Sequence, residues 1–341
     1  MKGVFASALA VLLAVGAGGC GGGQDEAQTV TVYTALDRVH SEPILKDFER
    51  QTGIRVQCVY DTEAAKTTGL VNRLIARRDH PDCDVLWNNE SVQTQRLAAE
   101  GLLAPYVSDQ AGRFDSAYRD ATGLWTGFAG RLRVIICNTD LIDPADVPAR
   151  LADWTDPAWR GKAAIARPFY GTTLTHMAVL HDQWGAERLK AFLEALRAND
   201  VAVCDGNGHV RDVVAAGQRA FGLTDTDDAL GAMKDGKPVA VLLPESHTGA
   251  ILIPNTVALI AGAPHPRAGQ RLIDYLLSPE VERRLAASRS GQIPLAGDLA
   301  DVATPWDDLA GYERKTVAVI DEPGEAIGRL VDLLTAAGMT E

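Results

Sequence analysis

The chain has 341 residues, 46% hydrophobic and 23% charged, with 32 Gly and 16 Pro, a composition that excludes fibrous, low-complexity and disulfide-stapled classes. Thirty-three Lys and Arg against 45 Asp and Glu give a net charge of −12, and their scatter argues against nucleic acid or an anionic membrane surface as partner. The length suits about two domains, each able to bury its own core.

Residues 1–19 carry one early charge, Lys2, then an apolar run over 4–15 and small residues up to Cys20, the pattern of a secretory signal. Ala17-Gly18-Gly19-Cys20 resembles the lipobox of bacterial lipoproteins, which implies a lipidated Cys20 on a tether over residues 20–27. A plainly cleaved signal is the alternative, and either places the body outside the cytoplasm. No later segment has the ~18 uncharged apolar residues of a membrane span. Cys58, Cys83, Cys137 and Cys204 lie far apart, without CxxC or zinc-ligand spacing, and read as buried thiols rather than disulfides.

Along the chain, residues 30–33 read as a strand, 41–52 as a helix stopped by Gly53, and 54–59 as an alternating strand. Leu70, Val71, Leu74 and Ile75 mark a helix, 84–87 a strand, and a further helix stops at Gly101. A second series follows: strand 163–166, a helix around Met177 and Leu180, helix 185–198, strand 201–204, helix 210–216, strand 220–223 and helix 227–235. Alternation of this kind demands mostly parallel, covered sheets. The apolar runs 133–137 and 251–260 stand between the series, placed to cross from one to the other.

Several segments carry a family resemblance: Val32-Tyr33-Thr34, Phe48-Glu49-Arg50-Gln51-Thr52-Gly53, Asp84-Val85-Leu86-Trp87-Asn88-Asn89-Glu90, Gly130-Arg131-Leu132-Arg133, Asp153-Trp154-Thr155-Asp156-Pro157, and Tyr275-Leu276-Leu277-Ser278-Pro279. In this order the chain resembles the extracellular solute-binding proteins of ABC importers, nearest the ferric-iron-binding branch. The resemblance implies an α/β, two-lobed periplasmic-binding-protein fold of type II with two crossover strands and a ligand cleft between the lobes. Residues 28–130 plus 251–300 are expected as one lobe and 131–250 plus 301–341 as the other. It also implies a monomer that delivers its solute to an ABC permease and ATPase. Asp227 and Asp228 stand where ferric-binding relatives have two tyrosines, Asp37 near their His, and Asn89 or Glu90 near their Glu. Asn207 matches an anion-holding Asn, and Arg131 and Arg133 match crossover arginines.

Asp225, Asp227 and Asp228 place three carboxylates within four residues at a strand C-terminus and helix N-terminus, the edge at which open α/β sheets bind ligands. With Glu90 they are expected to hold a hard cation such as ferric iron as cargo, or an organic ammonium; helix capping is the bland alternative. Thr172, Thr173 and Asn207, at helix starts, suit an anion, as in a phosphonate, with Arg133 nearby. Trp87 is expected to wall the cleft, along with one of Tyr33, Phe169 and Tyr170. No GxSxG, HExxH, GxxxxGK[ST] or GxGxxG occurs, so a binding protein without catalytic residues or cofactor is expected, either feeding a permease or signalling to a receptor.

Overall fold

The computed structural model describes residues 29–61, 68–245, 251–309 and 323–339; the expected signal, Cys20 and tether lie outside them. In chain order it contains β1 (Thr29–Thr34), α1 (Arg38–Thr52), β2 (Arg55–Tyr60), α2 (Thr68–Ala76), β3 (Val85–Asn88), α3 (Val92–Ala99), β4 (Leu103–Ala104) and β5 (Thr126–Asn138). Next come β6 (Ala163–Ala166), α4 (Gly171–Trp184), α5 (Ala186–Ala198), β7 (Ala202–Cys204), α6 (Asn207–Ala215), β8 (Phe221–Asp225), α7 (Thr226–Lys234) and β9 (Val239–Leu242). The chain ends with β10 (Leu252–Ile260), α8 (Pro266–Leu276), α9 (Pro279–Ala287) and α10 (Pro323–Ala336).

The strands join in the order β2-β1-β3-β10-β5-β8-β6-β7. β5 makes this continuity. Its first half pairs antiparallel with β10, and its second half, from Arg133, pairs with β8 and β9. One strand therefore belongs to two α/β lobes, each with parallel strands at its outer edge. The sequence places this crossing at residue 133; the strand starts seven residues earlier, at Thr126, because it is buried along its whole length and shows no alternation.

The apolar residues gather in clusters, the first of which runs from the first lobe on to Val214, Ala229 and Leu230 of α6 and α7. Phe48, Trp87, Phe128 and Leu272 centre the first, with Leu70, Leu86 and Leu97 on the opposite sheet face. Trp154, Phe221, Leu193 and Leu330 centre the second. Trp306 and Leu309 pack in the cluster that holds Phe48 and Trp87 together with Leu230 of α7. α10 packs on α3 of the first lobe and on α4 and α5 of the second. The four cysteines among the described residues are free thiols, Cys83, Cys137 and Cys204 buried and Cys58 half-buried.

The second-lobe sheet carries α6 unusually close. A Cβ on Gly222 of β8 would stand 2.6 Å from Val210 Cγ1 and 2.9 Å from Ala164 O. Gly222→Ala is expected to destabilise the protein by about 1–3 kcal/mol through overpacking, seen as a lower urea midpoint with unchanged slope.

Candidate functional site

Three helices of the second lobe begin at the C-terminal ends of its strands and face one small cavity. α4 follows β6 through Arg167-Pro168-Phe169-Tyr170, and Gly171 opens it with φ +55, a left-handed conformation that Gly adopts without strain. α6 follows β7, and α7 follows β8. Asp37, Asn89, Arg131, Arg167, Tyr170, Thr172, Thr173, Asp205, Gly206, Asn207, Asp225, Asp227 and Asp228 line the cavity. Its volume is about 30 Å³, room for a head group rather than for a whole solute. The cleft is nearly shut in this conformation.

Arg133 organises the floor. It is completely buried and lies directly across the β5–β8 ladder from Asp225. Its Nη1 donates to Asp225 Oδ1 (2.5 Å), Thr172 Oγ1 (3.1 Å) and Asn207 Oδ1 (3.1 Å), and its Nη2 to Thr173 Oγ1 (3.3 Å). Asp225 Oδ2 accepts from Thr172 Oγ1 (2.6 Å) and Asn207 Nδ2 (3.0 Å). One ion pair thus fixes the starts of α4, α6 and α7. His176, one turn beyond Thr172, closes the network. Burial and the neighbouring guanidinium hold its pKa well below the usual imidazole value, so it is neutral and its Nδ1 accepts from Arg133 Nε at 3.4 Å.

The other two aspartates of the cluster also meet arginines. Arg131 Nε lies 3.2 Å from Asp227 Oδ2, and Arg211 Nη1 lies 3.5 Å from Asp228 Oδ1. The three carboxylates do bring oxygens within 4.8 Å of one another. Each nevertheless has its own guanidinium, so the cluster offers a cation little net charge. The spacing along the chain showed the acids; their bases come from β5 and α6, far away in sequence.

Several expected ligand residues stand elsewhere. Trp87 is in the first-lobe core, its ring 5.8 Å from that of Phe128; β3 is covered on both faces, so a strand-end aromatic there is interior. Glu90 does not line the cavity and is no partner of the aspartates. Its buried carboxylate turns back onto α3, accepting from Val92 N (2.7 Å), Gln93 N (3.1 Å) and Asn88 Nδ2 (2.8 Å), and from Thr175 Oγ1 of α4 (2.9 Å). Arg133 lies beneath the cavity rather than on its wall, and its other side faces a second hollow of about 290 Å³ beside His176, Leu180 and Trp184. Tyr33 is buried, and of the four candidate aromatics Tyr170 reaches the cavity. Asp205, which the sequence reading missed, does as well; its position just before Gly206 at the start of α6 was the available signal.

The two sides of the cavity offer different hydrogen-bonding groups. Neither Tyr170 nor Gly206, the residues preceding α4 and α6, caps its helix with a side chain, so two helix starts present positive ends to the cavity. Arg167 Nε, buried and without a hydrogen-bond partner among the described residues, adds a donor. From the first lobe, Asn89 Oδ1 is likewise buried and unpartnered, and Asp37 does not use its side chain to cap α1.

Comparison with known proteins agrees with this geometry. Residues 44–311 match the family model of the bacterial extracellular solute-binding proteins. A Salmonella typhimurium protein with the provisional name 2-aminoethylphosphonate-binding periplasmic protein is 29% identical over 301 residues, covering 85% of this chain and 84% of that one. The Fe(3+)-binding periplasmic protein of Serratia marcescens is 22% identical over 326 residues, 92% of this chain and 91% of its own. In structure, iron-bound HitA from Pseudomonas aeruginosa superposes with a TM-score of 0.77 at 22% identity, over 92% of this chain and 99% of HitA.

Two outcomes follow from the buried charges. Arg133→Met leaves Asp225 buried without its cation and is expected to cost on the order of 3–5 kcal/mol in urea unfolding; Arg133→Lys, lacking the planar fork, does not restore it. Burial pushes the Glu90 carboxyl up to about 7, against the lowering effect of its hydrogen bonds. Its pKa in the fold is above the unfolded value of ~4.3. The stabilisation from the protonated form is therefore complete below pH ~4 and is lost as the pH rises through about 7. Relative to Glu90→Gln, the parent's thermal midpoint should fall between pH 4.5 and 8.

Proposed function

The chain belongs to the bacterial extracellular solute-binding proteins, and from that premise we propose that it captures a small zwitterion, an amine-bearing phosphonate or phosphate ester, for an ABC importer. The observation that carries the ligand class is the pair of helix starts, α4 and α6, left uncapped by side chains at one cavity. A tetrahedral oxyanion takes N–H groups at such ends, and Thr172, Thr173, Asn207 and Arg167 surround it with further donors. The amine falls to the opposite lobe, to Asn89 Oδ1 and Asp37. Each lobe then reads one end of the solute, so ligand favours closure by contacts that only the closed form makes.

Charge balance supports the zwitterion. The cavity wall holds the five carboxylates of Asp37, Asp205, Asp225, Asp227 and Asp228 against Arg131 and Arg167, with Arg133 and Arg211 directly behind. Near-neutral surroundings favour a solute of low net charge over a trivalent cation or a polyamine. The provisional ligand of the Salmonella relative has this chemistry. A second reading, ferric iron as cargo, is favoured by the clustered oxygens of Asp225, Asp227 and Asp228 and by the iron-binding relatives. The protein works in the periplasm, held by a lipid on Cys20, and passes its solute as a monomer to a permease with its ATPase. The role is transport, in keeping with the solute-binding family.

Calorimetry with 2-aminoethylphosphonate, inorganic phosphate, putrescine and ferric citrate separates the readings. The aminophosphonate is expected to bind at least 100-fold more tightly than phosphate or putrescine. Thr173→Val should weaken it about tenfold, the loss of a hydrogen bond to a charged group, and Asp37→Asn should weaken it without changing phosphate binding. Stoichiometric iron in protein purified without chelator, with no heat from the aminophosphonate, would establish the ferric reading instead.

A further inference from the structure

The first turn of α3 is where the first lobe meets the second most closely without a shared strand. Val92 is buried in the second-lobe core, among residues of α4, α5 and α10. Two residues earlier, Glu90 accepts a hydrogen bond from Thr175 of α4, and both side chains are fully buried. The other donors to this carboxylate, Asn88, Val92 and Gln93, all come from its own lobe.

The seam around this bond is polar and incompletely paired. Ser91 Oγ, Gln93 Oε1 and Gln95 Nε2 are buried, and none has a hydrogen-bond partner among the described residues. Permanent interiors seldom tolerate such groups, because each gives up water for nothing. Ser91 and Gln95, one turn apart, share a side of α3, and such atoms suit a surface that meets water in another state of the molecule. The lobes also meet through the ion pairs Arg131–Asp227 and Arg289–Asp235 and the Lys234 bond to Ser288 O, and they share continuous backbone through β5 and its pairing with β10 and β8, which bends but does not separate.

We propose that the first turn of α3 is a releasable contact between the lobes and that the Thr175–Glu90 hydrogen bond is the latch that holds it closed before any solute arrives. The cavity of about 30 Å³ then describes the latched state, and entry of a solute requires release. The latch acts on the position of the lobes and touches no solute, so it holds for any cargo and does not depend on the zwitterion reading.

The test uses the full chain without added solute, with spin labels on the outer faces of the two lobes. Thr175→Val removes the donor while keeping the shape and is expected to raise the ratio of open to closed molecules about fivefold, the effect of losing one hydrogen bond. Thr175→Ser should restore the parent distance distribution. An unchanged distribution in a folded Thr175→Val protein overturns the proposal. Hydrogen exchange on the parent gives an independent reading that requires no variant. The Val92 and Gln93 amides should exchange at least tenfold faster than those of β3 and β10, whereas equal protection would identify the turn as permanent core and refute the latch.

Discussion

Everything in the cleft depends on one buried ion pair, Arg133 with Asp225. A guanidinium with no exposure forfeits its hydration, and only near-complete hydrogen bonding offsets that loss. The second lobe supplies it by arranging three helix starts around the group, so the condition for burying the charge is also the condition for building the site. Thr172, Thr173 and Asn207 are held by Arg133 and Asp225 before a ligand arrives, which limits the side-chain entropy lost on binding. Arg131, two residues away on the same strand, shares the face and reaches the other lobe, donating to Asn89 O and Asn255 Oδ1.

This arrangement also decides what the acidic cluster can do. Counting carboxylates along a chain measures the charge available only if no cation is folded onto them, and here each of the three meets an arginine. Asp225 is spent on structure, its oxygens already taken by Arg133, Thr172 and Asn207. The same residues that look like free carboxylates in sequence are, once folded, each paired with an arginine. Similarity to iron-binding proteins at 22% identity carries the fold and leaves the ligand to the side chains of the cleft.

The fold was largely legible because β/α alternation and helix stops are local signals, as at Gly53, whose φ of +73 ends α1. Most of the cavity wall was legible too, since helix starts after strands can be found by pattern, and Asp37, Asn89, Thr172, Thr173, Asn207 and the aspartates all reach it. What could not be read were side-chain directions in fully covered segments. β3 is buried at every position, so nothing in its sequence shows that Trp87 faces the core. Glu90 was unreadable for a different reason: its partners are backbone amides of its own helix and a threonine 85 residues away.

A protein that must open and shut benefits from this kind of misfit. An oily interlobe seam would close irreversibly by burying apolar surface, leaving a ligand nothing to decide. A fully satisfied polar seam would be nearly as hard to reopen, since each buried bond lost on opening must be remade with water. With Ser91 Oγ, Gln93 Oε1 and Gln95 Nε2 lacking partners among the described residues in the closed form, hydration of the open form offsets part of what closure gains, and the two states come close in free energy. A ligand shifts such an equilibrium by its differential affinity alone, so a small gap lets modest contacts at each end of a small solute control the shape that a permease would read.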